Sequence, residues 1–312
     1  MSAINRLVFS LVLILILSGC LGGEEPVDSD NDGLTDEEEA VLKTNPYQAD
    51  SDGDGISDKE DPNPMVSSKK IPSTEPVTKG LDRGDIYVEY FPTDNPDFQI
   101  YEDLLKNWET FEIISTGYSK VFSIPMEEGL PIYIGECGTI NAFYDPNEKF
   151  IAMCYELMKF IDDMGFNLYE DSKSQNMHLL SNLFFIFNHE FGHALIDIYD
   201  LPALGREEDA ADQLGVVASA GGSDTSLMLI YVAQTYDEMS KTGTAPFWDE
   251  HALNQQRHYN ILCWTYGNDP GTYSGLVEGG FLPVERANRC PNEWEQIAKS
   301  WDELLEPFLL TS

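Results

Sequence analysis

Residues 188–212 read NHEFGHALIDIYDLPALGREEDAAD, and the reading of this stretch decides the fold. His189 and His193 stand four apart inside a run of helical period that spans 175–199. Positions four apart on an α-helix return to within about 40° of one another, so both imidazoles face one way. Glu190 points to the side, near enough to bear on anything the pair holds. A zinc hydrolase needs two neutral ring nitrogens on the ion and a carboxylate beside the open coordination position to take a proton from water. The pentapeptide alone also occurs as two ordinary helix histidines. Its context favours the metal. Fifteen residues beyond His193, after a turn at Pro202 to Gly205, comes Glu208-Asp209-Ala210-Ala211-Asp212. On a second helix packed against the first, Glu208 is placed to be the third ligand. Asp212, one turn on, is placed to orient a ligating imidazole. Ala210 and Ala211 are small enough to let the helices approach. By position alone Glu207 and Asp209 compete with Glu208. Acids also gather at helix starts because the helix dipole favours them, and Glu207 reads as one of these.

The 312 residues leave room for one sizeable domain with accessories, and 42% hydrophobic residues are enough for a packed core. The charge is unusual: 55 acidic residues against 18 basic. Such a surface repels phosphate and lacks the cations that displace counterions, so nucleic acid is excluded as a partner. In MSAINRLVFSLVLILILSGC (residues 1–20), one cation precedes an apolar run of 11 residues, Leu7 to Leu17. That is too short to span a bilayer of roughly 30 Å and reads as a targeting segment. Its end, Leu17-Ser18-Gly19-Cys20, resembles a prokaryotic lipoprotein signal, which implies lipidation at Cys20 and a chain anchored to the cell membrane, facing outside the cytoplasm. Cys137, Cys154, Cys263 and Cys290 remain, an even number for an oxidising compartment. Of the three connectivities, Cys137 with Cys154 and Cys263 with Cys290 is expected, since each closes a short loop containing turn residues.

DSDNDGLTDEEE (28–39) and DSDGDGISDKED (50–61) are an internal repeat at an offset of 22. Oxygens recur at loop positions 1, 3, 5, 9 and 12: Asp28, Asp30, Asp32, Asp36 and Glu39, then Asp50, Asp52, Asp54, Asp58 and Asp61. Leu34 and Ile56 supply the position 7 carbonyls, and Gly33 and Gly55 stand where the chain must turn sharply. This is the ligand pattern of calcium. The shorter Asp61 makes the second site the weaker one. With its "TNP" and "DPNP" connectors the segment resembles the thrombospondin type 3-like calcium repeats of microbial surface proteins. Having no apolar core, it is expected to fold only around about two calcium ions, as a stalk. MVSSKKIPSTEPVTKG (65–80) reads as a flexible linker.

From Asp82 onward the composition becomes globular. DIYVEYF (85–91), PIYIG (131–135) and KFIAMCY (149–155) read as strands, the last also as a helix start. Helical period marks 175–199, 206–219, 224–240, 249–266 and 293–305. The ExxAD after HExxH resembles the gluzincin metallopeptidases, which selects Glu208 as ligand and Asp212 as support of a histidine. ECGTINAFYDP (136–146), CYEL (154–157), HEFGHALIDIYDLPALGREEDAADQL (189–214) and DEHALNQQRHYNILCWTYG (249–267) are similar to the metallopeptidase family named domain of unknown function 4344. That resemblance covers roughly 84–312 and implies a zincin-like fold. The expected class is therefore α+β: a zincin-like metallopeptidase domain over 82–312, mainly helical with a small sheet. Before it come a signal peptide (1–20), calcium-loop repeats (21–64) and a linker (65–81).

Three further histidines remain. His178 lies almost three turns upstream and is read as a surface or core residue. His251 and His258 fall within the run 249–266. The interval from His251 to Arg257 is similar to that of the catalytic pair of the neprilysin-like gluzincins. It implies His251 as oxyanion donor and Arg257 as a grip on a substrate carbonyl or carboxylate. Tyr144 and Tyr259 are alternative donors, and a polar helix face is the alternative for the pair. The expected activity is zinc-dependent hydrolysis of a peptide or protein substrate, with Glu190 as general base. A catalytically silent calcium-binding adhesion or scaffold protein, or a zinc amidase on a non-peptide cell-envelope substrate, are the competing readings.

Overall fold

A computed structural model of the chain describes residues 27–35, 38–39, 42, 44–45, 49, 56–60, 86–203, 205–220, 223–242 and 251–310. The chain divides into two compact units, 1–70 and 71–312. Cys20, the apolar run before it, Asp36, Asp50, Asp52, Asp54, Asp61 and the linker lie outside the described residues. Among those described, no helix is long and apolar enough to cross a membrane.

In the larger unit four strands form one sheet in the order β1-β2-β4-β3. β1 (Ile86–Tyr90), β2 (Leu130–Gly135) and β4 (Phe150–Cys154) run parallel, and β3 (Ala142–Asp145) closes the edge antiparallel to β4. One face of the parallel strands is fully buried: Leu130, Ile132 and Ile134 alternate along β2 and, with Ile151 and Met153 opposite them on β4, point the same way into the core. β3 was not anticipated. Its four residues are too few to show an alternation, and it exists because the turn at 145–149, with Lys149 at φ 59, folds it back onto β4. KFIAMCY resolves into both of its readings, a strand ending at Cys154 and a helix opening at Tyr155.

Two helices, α1 (Pro96–Trp108) and α2 (Thr110–Ser119), connect β1 to β2. Asn95 caps α1 by accepting the Asp97 N–H at 3.0 Å, and Pro96 suits the first turn because it has no N–H to leave unsatisfied. α3 (Tyr155–Leu168) follows β4, and then comes α4 (Ser172–Ile198), started by Asp171, which accepts the Ser174 N–H. α4 is buried on two sides. Leu179, Leu183, Phe187, Phe191 and Leu195 join the core under the sheet, while Phe185 joins a second core made with α6 (Ser223–Thr242) and α7 (Asn254–Asn268). Between them lies α5 (Glu207–Ser219). A Cβ placed on Gly192 would stand 3.1 Å from the Ala211 Cα, so α4 and α5 touch backbone to backbone there. The smallness of Ala211 is thus used as expected.

α8 (Ser274–Glu278), α9 (Val284–Ala287), α10 (Cys290–Leu305) and a 3₁₀ turn, Glu306–Phe308, complete the fold. Both expected disulfides are present: Cys137–Cys154, joining the chain just after β2 to the end of β4, and Cys263–Cys290, joining α7 to α10. His178 is a core residue. It is fully buried, its Nε2 lies 2.9 Å from Thr235 Oγ1, and burial lowers its pKa to about 4.

The crossing of α7 and α10 is as tight as that of α4 and α5. A Cβ on Gly267 would run into the Cys290 carbonyl oxygen and stand 2.7 Å from its carbon, both main-chain atoms with no side chain to swing away. Gly267→Ala is expected to lower unfolding free energy in urea by about 1–3 kcal/mol, as overpacking does elsewhere.

Candidate active site

The HExxH segment lies in the last three turns of α4, where the helix is enclosed by β3, α5 and the start of α7. His189 is 4% exposed and Glu190 8%. His189 Nε2 is 3.2 Å from His193 Nε2 and 3.1 Å from Glu208 Oε2, and His193 Nε2 is 3.4 Å from Glu208 Oε1. The three residues expected as ligands therefore converge on one point. These separations fit a shared ion: ligands bonded to zinc at 2.0–2.1 Å in a tetrahedron stand about 3.3 Å apart. Two imidazoles and a carboxylate are also the donor set that zinc favours.

Each ligand is held from behind. His189 Nδ1 is 2.9 Å from Asp212 Oδ1, the supporting contact expected of Asp212. His193 Nδ1 is 2.7 Å from Glu207 Oε1, so Glu207 is no idle surface acid but the matching support of the second histidine. The sequence did not disclose this, because an acid at a helix start has a sufficient explanation in the dipole. Asp209 is not among the converging residues.

Arg257 departs from expectation. Instead of facing a substrate, its Nε donates to Asp212 Oδ2 at 2.8 Å and its Nη2 to Oδ1 at 2.5 Å, while the guanidinium lies 4.2 Å over the Tyr236 ring. A buried carboxylate needs a counter-charge, and the nearest arginine supplies it. His251 is not on a helix with Arg257, since α7 begins at Asn254 and His251 sits on a bend ahead of it. Its Nε2 nevertheless reaches Glu208 Oε2 at 2.9 Å, and its ring lies parallel to that of His189 with centroids 6.2 Å apart. Its carbonyl accepts from Arg206 Nη1 at 3.2 Å. His258 and Tyr259 stand elsewhere: His258 Nδ1 donates to the Ala233 carbonyl, and Tyr259 packs on the His258 ring. The Tyr144 hydroxyl is engaged by Asp197 at 2.6 Å. It is the Tyr144 main-chain N–H that reaches the site, donating to Glu190 Oε2 at 3.0 Å.

The electrostatics follow from this enclosure. Burial opposes charge on His189, but Asp212 and Glu208 outweigh it and raise its pKa to about 9. Burial would raise Asp212, yet Arg257 and His189 bring it down to about 2. Glu208, despite burial, is held far below the carboxylate range by His189, His193 and His251. Glu190 goes the other way: burial raises it more than the two histidines lower it.

Residues 90–305 match the family model described as "Putative metallopeptidase", domain of unknown function 4344. The chain belongs to this family. Residues 28–49 and 50–60 match the bacterial thrombospondin type 3 repeat. No curated protein and no solved structure matches the chain. In the first repeat Asp28, Asp30 and Asp32 bring carboxylate oxygens within 4.8 Å of one another. Gly33, at φ 98, makes the turn its loop position demands. The carboxylates also shape the loop: Asp28 accepts from the Asn31 and Gly33 N–H groups, and Asp32 from that of Leu34. Glu39 is fully buried and Asp58 nearly so, whereas Ile56 is 37% exposed.

Because Asp212 orients His189 and neutralises Arg257 at once, Asp212→Asn is expected to weaken zinc binding by about 10–100-fold in competition against a chromogenic chelator.

Proposed function

We propose that the protein is a zinc-dependent peptidase with a zincin-like catalytic domain. The observation that carries this is the convergence of His189, His193 and Glu208 at 3.1–3.4 Å, with Glu190 beside them on the strand-lined face. When bound, zinc supplies Lewis acidity, polarising a scissile carbonyl and making water easier to deprotonate.

The chain's own residues do the rest. Glu190 takes the proton of the attacking water and delivers it to the leaving amine, and the Tyr144 N–H holds one of its oxygens in place. β3 offers an edge to the substrate. The Asn141 carbonyl accepts the Cys154 N–H, so residues 141, 143 and 145 face β4, and the main-chain groups of Ala142 and Tyr144 face away from it. A peptide laid along that edge gains main-chain hydrogen bonds and passes Glu190. His251 donates to the oxyanion from the far side of Glu208. Arg257 acts through Asp212 and keeps His189 turned. A histidine bonded through both nitrogens loses little entropy when it becomes a ligand.

Outside the catalytic domain, the lipoprotein-type end at Cys20 supports attachment to the outer face of the cytoplasmic membrane, and the repeats support a calcium-stiffened stalk over residues 21–64. Glu190→Gln is expected to keep stoichiometric zinc while losing at least about a hundredfold in peptide turnover. His189→Ala is expected to lose both. Native-rate cleavage by the glutamine variant would show that Glu190 is not the base. Turnover that survives exhaustive chelation would sink the metal itself. Calorimetry of residues 22–66 is expected to show calcium-dependent heat, and a flat titration would leave the stalk an acidic spacer.

A further inference from the structure

With 55 acidic residues against 18 basic, carboxylates are plentiful partners for the cations of this chain. Lys106, Lys149, Lys159, Lys241, Arg257 and Arg286 each form an ion pair. Among the described residues Arg206 does not, nor do Lys120, Lys173 and Arg289; Arg206 differs from these in being followed directly by Glu207, Glu208 and Asp209. The reason is geometric. Glu207 is turned to His193 Nδ1, and Glu208 to His189, His193 and His251, while Asp209 feels the Arg206 charge without forming an ion pair with it. Arg206 is exposed at the cap position of α5, and with His193, Glu207 and Glu208 it lines a cavity of about 340 Å³. Its hydrogen bond runs from Nη1 to the His251 carbonyl, 3.2 Å away. Among the described residues no other hydrogen bond or ion pair engages the guanidinium, so its Nε–Nη2 edge is uncommitted.

A guanidinium is charged at every working pH, and that edge matches the two oxygens of a carboxylate. Glu207 and Glu208 share the cavity wall, so a dianion such as phosphate meets roughly twice the repulsion of a single carboxylate there. We propose that Arg206 is the substrate-carboxylate receptor of this cleft, so that preferred substrates are peptides bearing a carboxylate next to the scissile bond. The inference rests on the peptidase reading above. It gives Arg206 the role that the sequence suggested for Arg257. The carboxylate has two sources, an acidic side chain or the free C-terminus of the peptide.

The test separates binding from turnover. Three pentapeptides, N-acetylated and identical but for one feature, are titrated into the full zinc-loaded chain carrying Glu190→Gln. One has an internal Gln and an amidated end, one an internal Glu and an amidated end, and one an internal Gln and a free carboxyl end. A carboxylate peptide is expected to bind at least about tenfold tighter than the neutral one, and the peptide that gains names the source. Adding Arg206→Gln should bring that ratio close to one, Arg206→Lys should retain part of it, and Arg206→Glu should invert it, the neutral peptide then binding tighter than either carboxylate peptide. Zinc content and circular dichroism of each variant report its fold, and the lysine variant keeps the test alive if the others fail to fold. Equal binding of all three peptides, including none, overturns the receptor, as does a preference that survives Arg206→Gln. Turnover by the unsubstituted chain is read separately. Cleavage without carboxylate preference removes the receptor alone. A carboxylate preference in binding, without cleavage of any peptide, removes the peptidase reading and leaves the receptor standing.

Discussion

Asp212 is 5% exposed and keeps its charge only because groups from two other helices reach it, His189 from α4 and Arg257 from α7. A buried carboxylate deprived of such a partner costs about 3–5 kcal/mol, so this side chain fixes how α4, α5 and α7 are set against one another. The site inherits that rigidity. His189 cannot rotate without leaving Asp212, and Asp212 cannot move without exposing the Arg257 charge to the apolar second core behind it. The close contact of Gly192 with Ala211 is the steric condition for all of this, since larger residues would push Glu208 away from the histidines.

The sheet serves the same centre from the other side. Its interior strands are anchored by buried branched residues, but functionally the short edge strand matters most, because one main-chain N–H of β3 holds Glu190. The Cys137–Cys154 disulfide and the Asn141–Cys154 backbone bond tie down the loop that leads into that strand. On the opposite side Cys263–Cys290 and the Gly267 contact lock α7 against α10, and through α7 they fix Arg257. Both disulfides therefore brace elements whose free ends touch the site.

The three converging residues were legible because the helix repeats every 3.6 residues: His189 and His193 are related within one helix, and Glu208 and Asp212 within the next. Five helical runs were legible for the same reason and three strands from their period of two, whereas α1, α2 and most of α3 were not marked. Arg257 was misjudged because its use depends on which carboxylate is buried beside it, and burial is not a local property. The edge strand escaped because four residues hold no periodicity. Glu207 and Arg206 escaped together. One looked like a helix-start acid and the other like a surface cation, and only their opposite orientations about the cavity distinguish them.

The sequence alone settled which groups are at hand: two imidazoles one helical turn apart with Glu190 between them, a second helix opening with Glu208 and Asp212, paired calcium-type loops, and four cysteines in two short circuits. It determined these because each depends on neighbours a few residues apart, where covalent geometry sets distance. Packing settled the assignments among chemically equivalent groups: which acid supports which histidine, which arginine is buried and which lines the cavity, and which main-chain N–H holds Glu190. Those choices join residues as far apart as Tyr144 and Glu190 or Asp212 and Arg257. Packing decides them, because a charged group in a dense interior must take whichever partner the fold brings within reach.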